Sequence, residues 1–270
     1  MKTRIPNSNL IAVISLIAVV FAIGRFLFAA EQKQAHVTEI VHDVKILGAQ
    51  NAARPAVVND ALHEGTAVRT GTESRAELTF TDQTLTRLGA NTVFSFNGGA
   101  RAYDLGNGAI LMTAPKSAGT LKVSTAVATC AISGFTVVME YHSSLVNKVL
   151  IPEGDGSVWL KKNPNDPRPM HSGQMLVFDP KTSVLPQPIE IDVCKLINAG
   201  YLFNGFKTKL ASWPLLLGVC EQQHNALQQT SNKKLLDPTS TEVIDQAMNA
   251  HTEAPHPTAI PTIIPSSHHF

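Results

Sequence analysis

The chain has 270 residues, 44% of them apolar and 16% charged, with a formal net charge of +1. That is ample material for a buried core. The near-neutral balance, with no run of Lys and Arg, excludes a phosphate-tracking nucleic-acid binder, which needs a basic patch or stripe.

Residues 1–9, carrying Lys2 and Arg4, are expected to be a short cytoplasmic lead, and Leu10 to Gly24 is an unbroken run of apolar or small residues. Arg25 and a second apolar stretch, Phe26 to Ala30, follow it. This reads as a signal peptide or signal anchor over 10–30. The run is long enough to cross a bilayer as a helix, with Arg25 snorkelling to the interface. With Lys2 and Arg4 inside, the chain from Glu31 onward is expected in the periplasm, anchored in the inner membrane or released by cleavage. Cleavage after Ala30 places Phe28, and cleavage after Ala29 places Leu27, where a small residue is wanted, which favours the anchor.

From 36 to 188 the chain reads as short extended runs separated by turn formers. Ala76, Leu78 and Phe80 alternate with Glu77 and Thr79, predicting a half-buried strand with both polar residues in solvent. The same alternation returns at Phe94 and Phe96, at Leu121 and Val123, and at Val158 and Leu160 around Trp159. Phe135, Val137, Met139 and Tyr141 line one face of a longer strand. Gly71, Gly89, Gly98-Gly99, Asp104 to Gly108 and Asp155-Gly156 are expected to be turns. The fold class predicted is all-β, a sandwich or β-solenoid of short strands.

After Pro188 the period changes. Val193, Leu196 and Ile197 share one helical face, and a second helix is expected to begin near Ser212 with Pro214 in its first turn. There Leu216, Val219, Cys220 and Leu227 form a stripe opposite Glu221, Gln222 and Asn225. Two short helices cannot hide that stripe alone, so the appendage at 189–229 is expected to cover an edge or face of the β-domain. From 230 to 270 the pattern is lost and disorder is expected, with a weak helix at Thr241 to Ala250.

Cys130, Cys194 and Cys220 match no metal or haem spacing. In an oxidising compartment Cys194 and Cys220 are the candidate disulfide, leaving Cys130 buried. His142 beside Ser143 and Ser144 makes no catalytic pair, because neighbours on a strand point to opposite faces and no nucleophile elbow surrounds them. The histidines are scattered, and the Asp104 to Gly108 turn lacks the carboxylates of a calcium loop, so no metal or other cofactor is expected. Arg69, Arg75, Arg87 and Arg101 are the candidate binding surface, because strand pairing can gather them to engage carboxylates or phosphate. The simpler account is cross-strand pairing with Glu73, Glu77, Asp82 and Asp104. Trp159 and Tyr141 are read as core aromatics, with exposed interaction anchors as the alternative.

Two blocks carry a family resemblance. The first runs from Val68 to Phe94, with a Thr70-Gly71 turn, a Ser74-Arg-Ala-Glu-Leu78 strand, an Asp82 turn and a Leu88-Gly-Ala-Asn-Thr92 hairpin. The second runs from Leu105-Gly-Asn-Gly108 through Val123-Ser-Thr-Ala126 to Glu153-Gly154. Together they resemble the FecR domain family over about Thr38 to Pro180. Ala126 stands where the family usually has proline and Phe135 where it usually has threonine, so looser or differently packed backbone is expected there. The resemblance implies a periplasmic all-β domain. Full-length regulators of this family add a cytoplasmic anti-sigma segment before the span and a small signalling domain after the β region. Only nine residues precede Leu10, and the helices after Pro188 do not read as that second domain. The expected function is therefore a non-catalytic module that binds an envelope protein or a cell-wall glycan. The alternative is a transmembrane regulator of an extracytoplasmic-function sigma factor, and the third reading is an envelope carbohydrate-active enzyme.

Overall fold

A computed structural model describes residues 34–48, 52–97, 101–229 and 235–240. The expected membrane or signal helix at 10–30, the Gly98-Gly99 turn and the tail from 241 to 270 lie outside these residues. None of the described helices is long and apolar enough to cross a membrane.

The strands are β1 Ala35–Val41, β2 Val44–Leu47, β3 Arg54–Pro55, β4 Ala61–Leu62, β5 Ala67–Thr70, β6 Arg75–Phe80, β7 Leu85–Leu88 and β8 Val93–Asn97. They continue as β9 Ala102–Ala114, β10 Thr120–Ser124, β11 Ala128–Tyr141, β12 Asn147–Leu160, β13 Asn163–Met170, β14 Gln174–Phe178 and β15 Ile189–Glu190. Helices α1 Val193–Ala199, α2 Tyr201–Asn204 and α3 Trp213–Gln229 follow. The chain is thus all-β with a small helical part at its C-terminal side.

Three long strands organise the sheet. The first half of β9 pairs with β8 and β10, and its second half with β7 and β11. In the same way β11 leaves β10 for β9, and β12 pairs with β14 at one end and β13 at the other. The sheet therefore forms two layers continuous through β9, β11 and β12. One layer runs β4-β1-β6-β7-β9-β11-β12-β14-β15, and the other runs β3-β2-β5-β8-β9-β10-β11-β12-β13. Leu78, Leu88, Val137 and Leu176 of the first pack against Val68, Phe94, Leu121 and Val158 of the second in one core. The edges are short or proline-bearing: β3, β4 and β15 have two residues each, and β13 carries Pro164, Pro167 and Pro169. Such edges resist pairing with another chain.

The layer changes correct two expected turns. Asp104 to Gly108 and Asp155-Gly156 lie inside β9 and β12. Gly108 at φ +91° and Gly154 at φ +100° supply the backbone angle for a bend within a continuous strand. Ladder irregularities between Ser133 and Phe135 and between Thr136 and Val138 bend β11 beside that of β12. At the Ala126 departure, the Thr125 hydroxyl accepts the amides of Val127 at 3.3 Å and Ala128 at 3.1 Å. A side-chain turn thereby stands in for the fixed angle of proline.

A second correction concerns β6. Ala76, Leu78 and Phe80 face the core as expected, but Glu77 is only 5% exposed. Its face is covered because Leu111, Val138, Leu150, Met175 and Val177 point out of the first layer into a second core. Leu196, Ile197, Leu202, Phe203, Phe206 and Leu216 fill that core from the helical side. Each such burial contributes about 1.5–3 kcal/mol, which holds helices too short to persist alone.

Local signals set the helix ends. The Asp192 carboxylate accepts the Lys195 amide at 2.9 Å and caps α1. It ends at Gly200, whose amide donates to the Leu196 carbonyl at 2.8 Å and where a Cβ would meet that carbonyl at 2.6 Å. The Gln223 side chain accepts from Val193 N at 3.0 Å and donates to the Ile191 carbonyl at 2.8 Å, pinning α3 to the start of α1. Cys194 and Cys220 join the same two helices, with Cα atoms 5.1 Å apart, and Cys130 is buried as a free thiol.

The segment expected to be disordered from 230 is in part docked. Leu236 donates its amide to the Glu190 carbonyl at 3.2 Å and accepts from Asp192 N at 2.8 Å. Its side chain packs on the second core, a contact that no local periodicity announces.

Candidate functional site

The four arginines do not form one surface. Arg69 on β5 is exposed, whereas Arg87 on β7 is wholly buried. Arg101 is held by Asp82 at 3.1 Å and donates to the Thr84 hydroxyl at 3.2 Å. Arg75 is half-buried, with its guanidinium 5.9 Å from the Phe206 ring centre. The binding-surface expectation is corrected accordingly: burial beneath the helical segment removes Arg87 from any exposed site.

What Arg87 does instead is join sheet to cover. Its Nε donates to Glu77 Oε2 at 2.9 Å across the β6–β7 ladder. Nη1 donates to the carbonyls of Leu202 at 3.0 Å and Phe203 at 2.9 Å, and Nη2 donates to the carbonyl of Thr208. The Phe206 ring lies 4.5 Å from the guanidinium carbon. A planar fork of fixed donors suits this task, since it meets a carboxylate and the end of α2 together.

Glu77 is completed by the Thr38 hydroxyl, which donates to Oε1 at 2.9 Å. Beside it sits Glu39, which sequence reading missed. A bulge between Val37 and Glu39 turns Glu39 from the core face of β1 to the face of Glu77, its ladder partner. Two carboxylates directly opposite repel. The arrangement persists because Glu39 accepts the amide of Lys207 at 3.0 Å while Glu77 takes Arg87. Both carboxylates thus hold the stretch that carries Phe206.

Two grooves flank this clamp. One, of about 330 Å³, lies between the β6–β7 turn and the start of α3, with Thr79, Gln83, Leu85, Thr113, Pro115 and Leu215 among its walls. The other, of about 250 Å³, runs beside α2 and is lined in part by Glu140, Lys148, Tyr201, Phe203 and Pro238. Glu140 is bridged to Lys148 at 3.0 Å and lies 3.4 Å from His142 Nε2. Ser143 and Ser144 lie in the β11–β12 turn, exposed, not on a strand as the sequence suggested. Burial, reinforced by Glu140, pushes the Tyr201 hydroxyl pKa up. Among the described residues no group of three or more His, Cys, Asp or Glu gathers to hold a metal.

Glu153, also missed, lies on β12 with 8% exposure, and its Oε2 has no hydrogen-bond partner among the described residues. Burial pushes its pKa up to about 7, against the lowering pull of Lys116 and with help from Asp155. Asp155 itself contacts His171 Nδ1 at 2.8 Å. Burial likewise pushes the Cys130 thiol up to about 12, leaving it protonated and inert. Trp159 is half-buried and Tyr141 belongs to the main core.

The class defined by this geometry is a two-layer β-domain sealed on one outer face by its own helical segment. A family model described as FecR protein matches residues 66–155, so the stretch from β5 into β12 is a FecR-like domain, as the Val68 to Phe94 block implied. Two crystal structures of a candidate anti-sigma factor from Parabacteroides distasonis, at 1.65 and 2.50 Å resolution, are similar to the chain. Each is 14% identical, covers 69% of this chain and 91% of that chain, and superposes with a TM-score of 0.42. No curated protein matches the chain.

Proposed function

We propose that the chain is a FecR-type regulatory binding module that works in the bacterial periplasm and receives an envelope protein or a cell-wall glycan through its β-domain. The observation that carries this reading is the FecR match at 66–155 on strands that run unbroken through both layers. A ligand bound at either layer acts on one continuous sheet, and Arg87 ties that sheet to the helical segment. Such a body is suited to receive a contact on one surface and present its consequence on another. The exposed Arg69 belongs to the surface offered to a partner, because an exposed guanidinium can meet carboxylates bidentately.

The test is in-cell crosslinking of the full-length tagged chain, followed by recovery from envelope fractions. A specific envelope protein or glycan fragment, recovered less with Arg69→Glu than with the parent chain, is the expected result. Recovery equal to that of an unrelated periplasmic control in every fraction sinks the reading. Recovery of a sigma factor instead favours the second reading, a transmembrane sigma-factor regulator, which the same family match motivates.

A further inference from the structure

The amide of Thr81, in the β6–β7 turn, donates to the carbonyl of Gln34 at 3.1 Å. That bond fixes where the chain enters the domain. Thr79 and Gln83, on either side of Thr81, line the 330 Å³ groove, and Ala211, Ser212 and Leu215 form its opposite wall. The entry point and the groove therefore share one pole of the molecule.

The apolar run Leu10 to Ala30 stops four residues before Gln34. Four residues fully extended reach at most about 14 Å. A bilayer-spanning Leu10–Ala30 therefore holds this pole within about 14 Å of its outer end, at most about twice the headgroup layer of about 5–8 Å.

The chemistry of the pole fits that neighbour. Leu215 is 45% exposed beside a groove walled mostly by apolar and hydroxyl side chains. Exposed Lys116 follows Pro115 of the groove wall, and exposed Lys207 and Lys209 precede Ala211. Lys209 Nζ lies 4.9 Å from the centre of the Trp213 ring, and Trp213 is half-buried at the start of α3. Asp82, in the same turn as Thr81, is taken up by Arg101. Tryptophan, leucine and lysine together are the residues that settle at a lipid interface, with rings and aliphatic chains at the acyl boundary and ammonium groups on phosphates.

We propose that this pole is a membrane-docking surface: Leu215, Pro115 and Trp213 rest at the acyl boundary of the periplasmic leaflet while Lys116, Lys207 and Lys209 meet anionic lipid phosphates. The inference rests on reading Leu10–Ala30 as an uncleaved anchor. Docking there leaves Arg69 to face the periplasm, so the domain meets its partner in a fixed orientation.

The test uses the full chain in vesicles of phosphatidylethanolamine and phosphatidylglycerol brominated in their acyl chains. The sequence has two tryptophans, so Trp159→Phe leaves Trp213 as the reporter and Trp213→Phe leaves Trp159 as the control. Bromolipid is expected to reduce Trp213 emission by about twofold or more, as for a ring set about 5–10 Å into the interface, and to leave Trp159 unchanged. Leu215→Glu in the Trp159→Phe background is expected to relieve the quenching while the chain still floats with the vesicles. If Leu215→Glu unfolds, Lys116→Glu with Lys207→Glu serves instead, at two exposed positions outside both cores. A chain that floats with its Trp213 unquenched overturns the docking surface and leaves the anchor standing. A chain that does not float overturns the anchor reading and the docking surface with it.

Discussion

Arg87 donates to Glu77 at 2.9 Å with side-chain exposures of 0% and 6%, and the two residues lie on adjacent strands beneath the stretch that carries Phe206. The pair holds sheet and cover together. Removing one partner leaves the other charge buried alone, which costs about 3–5 kcal/mol. Glu77→Ala is therefore expected to destabilise the chain by about that amount, comparable with Leu78→Asp on the opposite face of β6. The double variant Glu77→Leu with Arg87→Met is expected to cost less than the two single changes added. Denaturant titrations of the full cycle check this, and a Glu77→Ala variant as stable as the parent refutes it.

Glu153 makes stability depend on pH. Its folded pKa of about 7 lies above the ordinary 4.5 because burial disfavours the carboxylate. The folded state therefore holds the proton more tightly than the unfolded state. Its contribution is fully present below pH 4.5 and is lost as pH rises through about 7. The loss is expected to be on the order of 1–3 kcal/mol. Glu153→Gln is expected to flatten this segment of the pH profile and to be the more stable form at about pH 8. Parallel pH profiles for parent and variant in urea melts count against it.

The Cys194–Cys220 bridge closes a separation of 26 residues. Loop closure of that size contributes about 3 kcal/mol. Cys194→Ser with Cys220→Ser is expected to lower the melting temperature and to make α1 and α3 the first amides to exchange hydrogen. Reductant should do the same to the parent and nothing to the double variant. Equal protection of the two helices in both proteins rejects the prediction.

Truncation separates the docked from the patternless part of the C-terminal segment. Ending the chain after Ser240 keeps the Leu236 bonds to Glu190 and Asp192 and is expected to leave stability unchanged. Ending it after Gln229 removes those bonds and the burial of Leu236 on the second core, at a cost of about 1–3 kcal/mol. Calorimetry of the two truncations decides, and identical transitions show that Leu236 contributes nothing.

Alternation along the strands determined the inward face of the sandwich. Ala76, Leu78, Phe80, Val137 and Val158 all lie in the main core, because a period of two dictates which residues share a face. The helical period gave α3 in the same way, and of its expected stripe Leu216 and Val219 reach the second core while Cys220 bonds to Cys194. The Val68 to Phe94 block gave the FecR-like domain. Periodicity says nothing, however, of what lies on the opposite face. Glu77 reads as solvated until a segment 115 to 121 residues beyond Arg87 folds back over it. Glu39, two residues after the core residue Val37, faces Glu77 only because a bulge shifts the register of β1. Gly108 and Gly154 carry the same positive φ whether the chain reverses or a long strand bends between layers, and only the pairing of β9, β11 and β12 distinguishes these. The clamp, the lone Glu153 and the groove at the Gln34 pole are each made by residues distant in sequence. Local propensity fixes the period of an element, and long-range packing decides which side chains lose their water.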